Sequence, residues 1–182
     1  MHHRQKKDRC DKVNMKKIDA KIVAFTALMA ALANVLSVPP LAIPLPLAGF
    51  TSSIHFSQLA IFLAGIIGGP WAGLVSGALG SIYMGVTRIP FVVGGIALLG
   101  VSVGLFSKRV RPVFACSLAW LVQAPYVLVT DYVWFTSFVQ MPSAAALGVI
   151  APIMLTLTLE AIVSAVLADV ILNYVKRAGI RF

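Results

Sequence analysis

Ionisable and amide side chains are scarce in this sequence, and the few that lie inside apolar runs are spaced so that they can work together. In the last long run, Thr156, Glu160 and Ser164 repeat every four residues. On a helix that spacing draws one polar line. Counting from Ala144 at 1.5 Å per residue puts Glu160 about 24 Å along, near the middle of a bilayer if part of the helix projects from it. In the preceding run Gln123, Tyr126, Thr130 and Trp134 share a face, with Asp131 beside it and Pro125 placed to bend the helix. Earlier in the chain, Asn34, Ser52, His55 and Gln58 can converge on one half of a bundle, as can Tyr83, Arg88 and Phe91. Ionisable groups at membrane depth are costly, so each is a functional candidate.

The chemistry on offer is recognition. Aromatic faces suit flat heterocycles or cations, and carboxylates suit donors or positive charge. An apolar cavity with aromatic walls and a few convergent polar groups is how small-molecule sites are built. Each residue also has a plainer reading. Trp134 fits an interfacial belt, His55 a hydrogen-bonded helix start, Asp131 a solvated or Arg88-paired carboxylate, and Asp169 a group reaching water or the C-terminal cations. Glu160 has no such easy alternative. No HExxH, GxSxG or GxxxxGK[ST] occurs, and no Cys and His spacing suits zinc. The sequence therefore predicts no enzyme, no catalytic residues, no metal site and no cofactor.

The elements that must position these groups are membrane helices. Of 182 residues, 59% are hydrophobic and only 12% charged, with a mean hydropathy of +0.93. An ordinary soluble domain carries about twice that share of charge. Cys10 lies in a basic tail and Cys116 in an apolar run, so no disulfide framework is implied. The net charge of +9 sits in the tail and beside the apolar runs, which is a topological pattern and predicts no nucleic-acid partner.

Six apolar segments can be drawn, over 22–38, 54–69, 71–86, 91–107, 113–135 and 144–174. Gly68-Gly69-Pro70 between the second and third predicts a tight hairpin. The fold class is thus all-α, an integral membrane bundle of six transmembrane helices. Its domain order is a basic cytoplasmic tail over 1–21, the six-helix substrate-binding domain over 22–175, and a basic C-terminus over 176–182. Of fifteen Lys and Arg residues, all but Arg88 fall in the tail, in Lys108-Arg109-Val110-Arg111, or after Tyr174. With six crossings these three places share one side, which predicts cytoplasmic N- and C-termini in a multi-pass protein of the plasma membrane.

Two further stretches stand out. PPLAIPLPLAGF, within 39–53, is apolar yet carries four prolines, and reads as an ordered flap over the outer mouth of the bundle. Ala20, Ala24, Ala27 and Ala31 form a nearly bare face on the first helix, where close backbone approach drives association in a bilayer. Either another helix of this chain or a second protein packs there. The repeated small residues Ala72, Ser76 and Gly80, Gly73 and Gly77, and Gly94, Gly95, Gly100 and Gly104 read as packing within the chain.

The basic tail leading into FTALMAALANVLS, followed by HFSQLAIFLAGIIGGPWAGLVSGALGSIYM, resembles the substrate-binding S-components of energy-coupling factor (ECF) vitamin transporters. The resemblance is best over the first hundred residues and weak in the last two helices. It implies capture of a vitamin or related micronutrient from outside, followed by docking on a transmembrane coupling subunit that carries two ATPase subunits. Ala27 and Ala31 then correspond to the family's Ala-xxx-Ala docking motif, extended by Ala20 and Ala24. The substrate would lie beneath the flap, among Asn34, His55, Tyr83, Arg88, Gln123, Tyr126, Asp131, Trp134 and Glu160. Two other readings stay open: a self-sufficient secondary transporter or channel with Glu160 as its ion or proton site, and an assembly or lipid-modifying membrane protein.

Overall fold

The computed structural model describes residues 20–47 and 50–179, so the expected basic tail up to residue 19 and the last three residues lie outside the described residues. The Ser52 side chain lies outside them as well. Helix α1 (Ala20–Leu36) is built from Ala, Leu, Met and Ile without an interior glycine or proline, and it stops before Pro39-Pro40, which disfavour helical backbone.

A short antiparallel ribbon follows, β1 (Ile43–Leu47) paired with β2 (Phe50–Ile54). The expected flap is therefore ordered as strands, a feature that the proline content hid. Pro44 and Pro46 have the same parity in β1, opposite Ser53 and Thr51. Their missing N–H groups thus fall on one edge, where no ladder bond is required. The β2 strand packs against the last helix of the chain, α6 (Ser143–Arg177).

Helix α2 (Ser57–Gly80) folds back on itself at Gly69, whose φ of 81° and ψ of −174° belong to glycine. Pro70 then opens the second arm with its φ already suited to a helix. A Cβ on Gly80 would lie 3.2 Å from Ile61 Cδ1, although in a straight helix the two positions would stand roughly 28 Å apart. The hairpin expected from Gly68-Gly69-Pro70 is present. The expected segment 71–86 is, however, interrupted at Ser81, and a short helix α3 (Ile82–Thr87) carries it on. Ser81 donates its hydroxyl proton to the Gly77 carbonyl, a local bond that competes with the regular ladder.

Helix α4 (Val92–Phe106) lies closely along the second arm. A Cβ on Gly73 would come within 2.1 Å of the Gly100 carbonyl oxygen, and one on Gly100 equally close to that of Gly73. Of the small residues read from the sequence, Gly73, Gly77, Gly100 and Gly104 form this intrachain seam, whereas Gly80 faces Ala33 of α1 and Gly94 and Gly95 face Tyr126. Replacing Gly73→Ala or Gly100→Ala forces two helix backbones apart and is expected to cost about 1–3 kcal/mol. A lowered thermal transition in detergent is the readout, and an unchanged one contradicts the seam.

Helix α5 (Pro112–Val133) begins with proline in its first turn after the basic loop and ends in a π-helical turn over Trp134–Phe138. The stretches Ser57–Thr87, Pro112–Phe138 and Ser143–Arg177 have the length and hydropathy of membrane crossings, the first of them folded at Gly69; α1 and α4 are shorter apolar helices. Large apolar side chains coat the outside, with Leu28, Trp71 and Leu121 each more than 60% exposed. Lipid, not water, suits such a surface.

Candidate functional site

A cavity of about 400 Å³ opens between the start of α2, the α3–α4 corner, α4, α5 and α6. Its volume falls within the range of small-molecule sites. The walls are mainly apolar, from Met84, Ile96, Val127 and Ile153. Aromatic groups stand at one end. Phe91 meets Trp134 edge to face at 6.2 Å, and Trp134 stacks on Phe138 at 5.0 Å. The π-helical turn offsets successive side chains from the α5 register and brings Phe138 over Trp134. Tyr126 donates its hydroxyl proton to the Phe91 carbonyl at 3.3 Å and lies against Gly94, where a Cβ would strike the phenol oxygen.

Polar groups among these walls have few partners within the protein. Gln58 and Gln123 are each 3% exposed, and the Oε1 atom of each lacks a hydrogen-bond partner. Buried polar atoms in native proteins are normally satisfied, so two orphaned carbonyls in one cavity mark a place for an incoming donor. Asp131 is 4% exposed and its carboxylate has no partner among the described residues. The alternative of an Asp131–Arg88 pair is not realised there. Arg88 instead reaches the Ser53 hydroxyl, tying β2 to the α3–α4 corner at the cavity mouth.

Glu160 lies behind this lining. Its Oε1 is 2.8 Å from His55 Nδ1, and both side chains are buried. The Ser57 hydroxyl approaches the same nitrogen at 2.9 Å. The carboxylate thus faces the start of α2, where the helix has its positive end. With Nδ1 engaged, Nε2 is the remaining polar atom of His55, a residue that lines the cavity.

Of the nine residues expected around a substrate, His55, Arg88, Gln123, Tyr126, Asp131 and Trp134 line the cavity. Glu160 stands one side chain back, behind His55. Asn34 and Tyr83 lie elsewhere. Asn34 donates through Nδ2 to the Leu79 carbonyl at 2.7 Å and accepts the Tyr83 N–H at 3.1 Å, while the Tyr83 side chain packs on the α1–α2 cluster. An amide near a helix end has the same sequence signature whether it faces a ligand or fastens one helix to another. Asp169 accepts from Asn173 at 3.1 Å, one turn further along α6.

The sequence put Gln58, Phe91, Thr130 and Thr156 on suitable faces without assigning them a substrate, and the cavity includes all four. Its apolar lining carried no signal, because Met84, Val127 and Ile153 look like any other residues of a membrane helix. Ala20, Ala24, Ala27 and Ala31 are all exposed, while Met29, Ala30 and Ala33 on the other side of α1 are buried. No metal-binding group of three or more His, Cys, Asp or Glu residues occurs among the described residues.

Comparisons with known proteins agree with this architecture. The solved structure described as "Structure and mechanism of the S component of a bacterial ECF transporter" superposes with a TM-score of 0.52, covering 87% of this chain and 96% of that one. At 18% identity this likeness concerns the fold. No curated protein matches the sequence. A family model described as "ECF-type riboflavin transporter, S component" matches residues 17–177, nearly the whole chain. This chain is thus a membrane protein that belongs to the family of ECF-type riboflavin transporter S components.

Proposed function

We propose that this chain captures riboflavin in the cavity between α2, α4, α5 and α6 and presents it to an ECF coupling subunit with two ATPase subunits. The family match supports the transport role, and the observation that carries the ligand is the pair of orphaned carbonyls, Gln58 Oε1 and Gln123 Oε1, set among aromatic walls. An isoalloxazine is flat and aromatic, and its imide edge offers one N–H between two carbonyls. A primary amide carries both a donor and an acceptor, so Gln58 and Gln123 complement that edge. Phe91, Tyr126 and Trp134 supply faces and edges for the ring.

In this reading the chain crosses the membrane six times, with the α2 hairpin contributing two passes, and holds both termini in the cytoplasm. The bare α1 face meets the coupling subunit. Its exposure in the isolated chain supports that role over packing on a neighbouring helix. Glu160, engaged by His55 behind the cavity wall, is better suited to hold α6 against α2 than to serve as the ion site of a self-sufficient transporter.

Riboflavin fluorescence provides the test. Titrating the vitamin into purified protein in detergent is expected to quench its emission with a one-to-one endpoint, whereas thiamine and biotin do not compete. Gln123→Ala is expected to weaken binding roughly tenfold, the value of a buried hydrogen bond together with its stranded partner. A folded protein that leaves riboflavin emission unchanged refutes the assignment.

A further inference from the structure

We propose that Asp131 is the residue that recognises the hydroxylated side chain of the flavin, so that the site selects for a ring carrying a free polyol over the same ring without one. This rests on the flavin reading of the cavity and deepens it.

Several acceptors face the cavity. Asp131, 4% exposed as a residue, offers the cavity a carboxylate that has no partner among the described residues. Its neighbour Thr130 commits its hydroxyl proton to the Tyr126 and Val127 carbonyls, at 2.9 and 3.3 Å, and so presents lone pairs to anything beyond. Thr156 does the same toward the Pro152 carbonyl at 2.9 Å. Tyr126 has its proton on Phe91 O. Of the lysine and arginine side chains among the described residues, only Arg88 lines the cavity, and it is exposed at the mouth and bonded to the Ser53 hydroxyl. A ligand held here must bring its own donors.

A flavin has two kinds. The imide N–H sits between two carbonyls, so a carboxylate facing it accepts one hydrogen bond while confronting two lone-pair-bearing oxygens. The two glutamines suit that edge better. Each hydroxyl of the polyol chain, by contrast, turns its proton toward an acceptor without an adjacent fixed carbonyl. A carboxylate is the strongest acceptor available to such a chain. The location fits as well. Asp131 and Thr130 lie just before the π-helical turn that carries Trp134, so a ring against Trp134 has its substituent within reach of the carboxylate.

The test compares riboflavin with lumiflavin, which has the same ring and imide edge but a methyl group in place of the polyol. The full chain binds both in detergent, followed by fluorescence quenching. The wild-type protein is expected to bind riboflavin at least roughly tenfold more tightly than lumiflavin, the value of one hydrogen bond to a charged acceptor. Asp131→Asn and Asp131→Leu are each expected to weaken riboflavin by roughly 10- to 100-fold and to leave lumiflavin unchanged. Equal affinities in the wild-type protein overturn the proposal without any variant. Equal weakening of both ligands by a folded variant also overturns it, since that is the mark of a packing role. Absence of binding by both ligands to the wild-type protein instead refutes the flavin reading itself.

Discussion

Ala27→Trp or Ala31→Trp is expected to abolish riboflavin uptake by cells while leaving riboflavin affinity of the purified chain within about twofold, the usual reach of an exposed substitution. Both alanines are exposed, and the buried side of α1 carries Met29, Ala30 and Ala33 instead. An indole on the outer face therefore displaces nothing within this chain. A partner helix that packs on a bare stripe depends on backbone approach, and an indole holds the two backbones apart by several ångström. Uptake is measured with labelled riboflavin in cells that supply the coupling and ATPase subunits, and binding with the isolated chain. Joint loss of uptake and affinity would mean that docking and capture are not separate, and full uptake would remove α1 as the contact.

The second large effect concerns the pair behind the cavity. Removing one member of a buried ion pair leaves the other without compensation and typically costs about 3–5 kcal/mol, whereas replacing both by apolar groups is often neutral. Glu160→Leu is therefore expected to lower the thermal transition by on the order of 10 °C. The double replacement of His55 and Glu160 by leucine is expected to recover most of that loss. The two side chains lie 2.8 Å apart with almost no exposure, so no solvent can take over the missing partner. A double variant as unstable as the single one would show that each residue acts alone.

Much of the site was legible because polar residues are rare in such a chain. A four-residue period through Thr156, Glu160 and Ser164, and a three-and-four period from Gln123 to Trp134, need only helix geometry to be read as faces. The fold-back at Gly69 was legible for a similar reason, since a glycine followed by proline has few other uses inside an apolar run. What escaped was decided by direction and by contact between distant segments. Glu160 was rightly placed on a polar line, but nothing local shows that His55 stands between it and the cavity. Asn34 and Tyr83 were grouped with the ligand although they fasten α1 to the α2–α3 junction. The β1–β2 ribbon escaped because its prolines break any helical or alternating pattern, while leaving one strand edge intact.

The Asn34 contacts reach beyond α1. This amide joins the helix bearing the alanine stripe to α3, where Met84 forms part of the cavity wall, and four residues later Arg88 grips the β2 strand through Ser53. The helix that a coupling partner would press against and the strand at the cavity mouth are thus fastened to one short helix.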